Sequence, residues 1–277
     1  MNNPLLKHFR QPALYVKLPS EGKFWPEGSL ELPLTGEIPV YPMTTREEII
    51  LRTPDALLNG EGVIQVIQNC CPNIKDAWAM PSIDVDNLLI AVRIASYGAN
   101  MDIDSECPSC KHENTYEIDL LNLLGQIRAP NYAAGIEIDG LTFHLQPQKY
   151  SDTNNRSRIL FEEQRILDTI TASDMEETAK VTQFNTYLQN LVNINMDMLT
   201  ASTASITADE VEVSDAAQIK EYYDNAPGTV IRTLQARIEE YSKEVALKPH
   251  AVACEECNHQ HEIAVEFDYA NFFAVGS

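Results

Sequence analysis

The chain opens with short runs in which apolar and polar residues alternate. Leu14-Tyr15-Val16-Lys17-Leu18 stops at Pro19-Ser20-Glu21-Gly22, while Ser29-Leu30-Glu31-Leu32 and Ile38-Pro39-Val40-Tyr41 flank Thr35-Gly36. A period of two predicts short antiparallel strands. Pro33, Pro39 and Pro42 confine them to edges or ends, because proline cannot donate to a ladder. The period lengthens at Thr44-Thr45-Arg46-Glu47-Glu48. A threonine followed three residues on by glutamate predicts a capped helix start, with the helix running to about Arg52. A second helix is predicted between Asn59-Gly60 and Pro72, carrying Val63, Ile64, Val66 and Ile67. A third starts near Asp84, read as its cap, repeats Leu88, Leu89, Val92 and Ile94, and stops at Tyr97-Gly98.

Residues 100–146 return to strand character. Tyr116, Ile118 and Leu120 alternate, and Ile136-Glu137-Ile138-Asp139-Gly140-Leu141-Thr142-Phe143-His144-Leu145 reads as a hairpin on an Asp-Gly turn. Residues 158–169 and 173–196 carry apolar positions at helical spacing, and 200–208 read as a loop. Ser214 is the expected cap of a helix over 215–225, and Pro227-Gly228 precedes another over 229–244. Strand character resumes from Ala253. These elements predict an α+β fold: a small antiparallel strand platform with a zinc-ribbon-like paired-knuckle unit, an N-terminal helical unit and a helical insertion. The expected boundaries are 1–98 for the N-terminal strand/helix unit, 99–150 with 251–277 for the platform, and 151–250 for the insertion.

Composition narrows the setting. The 277 residues are 44% hydrophobic and 22% charged, ordinary globular values. No apolar run spans a bilayer, and the N-terminus lacks the pattern of a signal peptide, so an intracellular, reducing compartment is expected. Twenty Lys and Arg against 41 Asp and Glu leave a net charge of −21. That field repels phosphate backbones and argues against a nucleic-acid binder. It fits solubility, docking to a basic protein surface, or a potassium-rich host cytoplasm.

Six cysteines divide into a vicinal pair and two CxxC units. Cys70-Cys71 follows an apolar helical face and reads as two buried free thiols. The CxxC units are Cys107-Pro108-Ser109-Cys110-Lys111-His112 and Cys254-Glu255-Glu256-Cys257-Asn258-His259. Tyr116, Ile118 and Leu120 follow Cys110 at the same offsets as Ile263, Val265 and Phe267 follow Cys257. A knuckle, a polar turn and an alternating strand, repeated without a gap, is the pattern of the two halves of a zinc ribbon. Two thiolates three residues apart on a tight turn can reach one tetrahedral ion, and a second knuckle completes the set. Cys107, Cys110, Cys254 and Cys257 are therefore the expected ligands of one structural zinc across 143 intervening residues. Four unmetallated cysteines, or substitution by His112, His259 or His261, are the alternatives. A redox CxxC fits less well, since it should open a helix.

No phosphate-binding loop, GxSxG, HExxH or GxGxxG pattern occurs, and no catalytic residue or enzyme activity is expected. Asp84 with Asp86 and Asp102 with Asp104 read as a helix start and an outward strand face. Glu47-Glu48 and Glu255-Glu256 read as solvated charges, and Trp25 and Trp78 as packing anchors.

The N-terminal half carries a resemblance. Asn3-Pro4-Leu5 with Phe9-Arg10, Leu18-Pro19-Ser20 with Gly22, Trp25-Pro26, Gly28-Ser29-Leu30, and Gly36-Glu37 with Val40-Tyr41-Pro42-Met43-Thr44 form its first part. Thr53-Pro54-Asp55-Ala56-Leu57-Leu58-Asn59-Gly60 and Ile94-Ala95-Ser96-Tyr97-Gly98 before Cys107-Pro108-Ser109-Cys110 continue it. Over about residues 1–125 the chain resembles the T4-like bacteriophage baseplate protein family. The resemblance implies a non-enzymatic protein of contractile-tail phages, acting in baseplate hub assembly or as a permanent baseplate subunit. Its implied partners are baseplate hub or tail proteins, the tape-measure protein among them; the charge and the short apolar runs already argue against nucleic acid and membrane. Its implied location is the host cytoplasm during assembly, or the virion tail baseplate.

Overall fold

The fold, taken from a computed structural model, is described for residues 4–53, 60–172, 176–264 and 272–273. It is α+β, built of small antiparallel sheets and helices. Two compact units divide the chain: Met1–Arg128 with Val245–Ser277, and Ala129–Glu244.

In the first unit, β1 (Leu14–Lys17) pairs antiparallel with β2 (Glu37–Val40), Val16 opposite Ile38. The strand expected at Ser29–Leu32 shrinks to a single bridge, Leu30 to Ile74. The Glu31 amide donates to the Asn73 carbonyl, so this segment is fixed by a loop rather than a ladder. Then come α1 (Thr45–Leu51), α2 (Glu61–Cys70), a 3₁₀ turn (Ser82–Asp84) and α3 (Val85–Tyr97). Five successive residues of α3, Leu88 to Val92, are fully buried, so this helix is enclosed rather than amphipathic. Gly98 ends it at φ +95°, as its position predicted. The vicinal Cys70 and Cys71 are free and buried at the end of α2, and burial pushes Cys70 up to about 12. A ribbon of β3 (Asn100–Glu106) and β4 (Glu113–Asp119) follows, then α4 (Leu120–Gln126).

The second unit carries a four-stranded antiparallel sheet of β5 (Ile136–Ile138), β6 (Leu141–Leu145), β7 (Thr203–Ala208) and β8 (Val211–Val213), ordered as numbered. The Asp139-Gly140 turn joins the first two with positive φ at both residues. Between β6 and β7 runs a helical hairpin, α5 (Tyr150–Ala172) and α6 (Glu177–Ala201). The amphipathic helices α7 (Ala216–Asn225) and α8 (Gly228–Val245) complete the unit. Phe143, Leu145, Leu199, Ile206, Ile219, Tyr223 and Leu234 form the core.

Two local expectations change here. Residues 203–208 are a strand, not a loop: Ile206 pairs with Phe143, and the Thr203 hydroxyl meets Tyr223 Oη at 2.7 Å. Small polar residues hide this strand's period because their partners are polar groups brought from afar. The cap of α7 is Asp215, whose carboxylate accepts from the Gln218 amide at 3.0 Å, not Ser214. Among the described residues no helix is long and apolar enough to cross a membrane.

Candidate metal centre

Each CxxC sequence forms the tip of a two-stranded antiparallel ribbon. Glu106 pairs with Glu113 at the base of the first. The second closes between β9 (His250–Ala253) and β10 (Gln260–Ile263), with Ala253 opposite Gln260. The two tips have one backbone geometry. The Cys107 amide donates to the His112 carbonyl at 2.9 Å, and the Cys254 amide to that of His259 at 3.0 Å. The Lys111 amide returns to the Cys107 carbonyl at 3.0 Å, and the Asn258 amide to that of Cys254 at 2.9 Å. Lys111 and Asn258 both take left-handed φ, +64° and +55°, which folds each knuckle back on itself.

The knuckles meet. The sulfurs of Cys107, Cys110, Cys254 and Cys257 all lie within 4.8 Å of one another, the one such donor cluster among the described residues. Cys107 Sγ is 3.7 Å from Cys257 Sγ, and Cys110 Sγ is 3.6 Å from Cys254 Sγ. These separations are far too long for disulfides, in which sulfurs sit about 2.05 Å apart. They match the edge of a tetrahedron: four sulfurs each about 2.3 Å from one zinc ion stand about 3.8 Å apart. One cysteine of each knuckle is buried (Cys107, Cys254) and one exposed (Cys110, Cys257).

The electrostatics are compatible with a cation. Amides of Cys257 and Glu256 donate to Cys254 and hold its thiol below the ordinary value. At Cys110 the His112 amide also favours the thiolate. The neighbouring sulfurs of Cys257, Cys254 and Cys107 outweigh it and push that thiol up to about 12. Four thiolates this close repel one another unless a positive ion sits among them.

The histidines stand outside the cluster. His112 and His259 serve through their carbonyls, and His261 Nδ1 lies 3.3 Å from the His259 carbonyl. A residue the spacing did not reveal is Asn114. Its side chain donates to the His112 carbonyl and accepts from the Glu255 amide, both at 3.0 Å, so it ties one knuckle to the other. The repeat places His261 at the equivalent offset, so comparing the two halves hides Asn114 rather than exposing it.

Of the other singled-out residues, Asp102 and Asp104 point outward on β3 as expected. Asp84 heads α3 without capping it. Its buried carboxylate accepts from the Ser20 amide (2.8 Å), the Ser20 hydroxyl (2.5 Å) and Trp25 Nε1 (2.9 Å). Glu47 is not solvated. It is 3% exposed and accepts from the Thr44 amide (2.7 Å) and hydroxyl (2.5 Å) and from Asn69 Nδ2 (3.1 Å), with Arg10 at 3.6 Å. Val265, Phe267 and the segment Pro54 to Asn59 lie outside the described residues.

A model of the family described as T4 bacteriophage base plate protein matches residues 15–274. No curated protein and no solved structure matches the chain.

Proposed function

Because this chain belongs to the T4 bacteriophage base plate protein family, we propose that it is a non-enzymatic docking component that acts in baseplate hub assembly and is fastened by one structural zinc. The family match carries the biological setting. The four-sulfur cluster supports the metal: Cys107, Cys110, Cys254 and Cys257 would hold the ion with no coordination position left for a substrate. Bound there, zinc supplies a cross-link between two ribbons far apart in sequence. The residues around it do the rest. The knuckle amides favour thiolates, and Asn114 sets one knuckle against the other. Hub or tail proteins are the partners this reading calls for, met in the host cytoplasm, and the net charge of −21 steers basic surfaces toward the chain.

Quantitative mass spectrometry of purified virions, with this chain counted against the tail-sheath protein, tests the role. Absence from virions alongside abundance in infected-cell lysate is the expected result. A fixed small integer copy number would make the protein a permanent baseplate subunit instead. Elemental analysis of the purified chain tests the metal, with one zinc per chain expected and a clear loss in Cys107→Ser. A zinc content well below one that Cys107→Ser leaves unchanged would sink the metal assignment.

A further inference from the structure

We infer that the helical hairpin α5–α6 is a self-association surface, on which a second copy of this chain packs its own hairpin to complete a four-helix bundle. The inference does not rest on the assembly role proposed above. It rests on a surface that is exposed, apolar and empty of charge.

The two helices meet along one face each, where Glu163 Oε1 accepts from Asn190 Nδ2 at 2.8 Å. On α6 a second apolar stripe runs beside that seam: Val181, Phe184, Leu188 and Val192, spaced by three or four residues. These side chains remain 42–55% exposed. Continued by helical spacing, the stripe passes Asn195 and reaches Leu199, which is fully buried in the core of the second unit. The same face is thus core at its C-terminal end and open for four turns before it. The helical repeat places Leu160, also exposed, on the matching side of α5.

Charge identifies the occupant. Residues 181–196 contain no Asp, Glu, Lys or Arg, the longest such run in a chain that is 22% charged. The next longest, 62–74, covers the buried helix α2, where the absence of charge is ordinary. A run that is exposed and uncharged has the composition of an interface core, from which charged residues are depleted. A chain of net charge −21 recognises a basic partner through its acidic groups and meets itself only where it has none. Asn195 inside the apolar stripe is the residue type that fixes register and stoichiometry between paired helices. The open stretch from Val181 to Asn195 is about 20 Å of helix, four turns along which the same stretch of a second copy can lie antiparallel.

The test is light scattering on the full chain, with Leu188→Glu and Leu188→Lys made alongside. Leu188 lies near the middle of the stripe, so in a two-fold contact it faces its own copy. The unsubstituted chain is expected at twice 31.1 kDa at micromolar concentration. Each variant alone is expected as a monomer, and an equimolar mixture of the two as a dimer again. A monomeric unsubstituted chain, an assembly larger than a dimer, a dimer that survives either substitution, or a mixture that stays monomeric would each overturn the inference. Should a variant lose its helical circular dichroism, hydrogen exchange on the unsubstituted chain decides. Protection of residues 181–196 that rises with association supports the contact, and none overturns it.

Discussion

Two buried carboxylates show how far a residue's surroundings decide its role. Burial pushes Asp84 up to about 6, against the pull of hydrogen bonds from Ser20 and Trp25. Burial also raises Glu47, but the Thr44 hydroxyl and amide and the Arg10 charge outweigh it and leave the group below its ordinary value. The two carry opposite pH signatures. Asp84 binds its proton more tightly folded than unfolded, so its contribution is present below pH 3.8 and lost as pH rises through about 6. Glu47 contributes above its unfolded value of 4.5 and loses that contribution as pH falls. Urea unfolding should separate them. Asp84→Asn is expected to cost roughly 1–3 kcal/mol through unsatisfied donors, with the gap from the unsubstituted chain widening as pH falls from 7 toward 4. For Glu47→Gln a similar cost is expected at pH 7, and it should shrink in acid. Gaps that stay constant with pH would refute both assignments. The sequence marked both residues at helix starts, Asp84 as a cap and Glu47 in a capping box, but showed the burial of neither. A glutamate next to another glutamate looks solvated until Arg10 and Asn69 are folded against it.

Among the elements, boundaries set by backbone conformation were legible and those set by partners were not. Thr44 with Glu47 opened α1, Gly98 closed α3 and Asp139-Gly140 turned the hairpin, because each depends on residues adjacent in sequence. Strand β7 is not legible because its residues are small and mostly polar, and of its two ladder partners the one that encloses it, β6, lies about sixty residues away, beyond both helices of the hairpin. Gly98→Ala tests the first kind of boundary. A Cβ there meets nothing within 4 Å, so the whole effect must come from the positive φ. The expected loss is roughly 1–3 kcal/mol of unfolding free energy. A loss below about 0.5 kcal/mol would show that α3 can end without left-handed backbone.

On the scale of the whole molecule, the paired knuckles close a loop of 143 residues. In the proposed zinc-bound state, stripping the metal with a chelator is expected to lower the melting temperature and to speed hydrogen exchange in β9 and β10 first. That ribbon's described ladder is four residues long and joins no other strand. Unchanged exchange there after metal loss would mean that packing alone holds the ribbon. The sequence by itself determined the α+β class, the repeated knuckle and the four cysteines, since spacing along a chain encodes what a tight turn can bring together. Only the tertiary structure decided that the two knuckles converge, that Asn114 ties them, that Asp84 and Glu47 are buried, and that an uncharged helical stripe is left in solvent. Each of these depends on which distant surfaces pack together, and a local pattern carries no record of its distant partner.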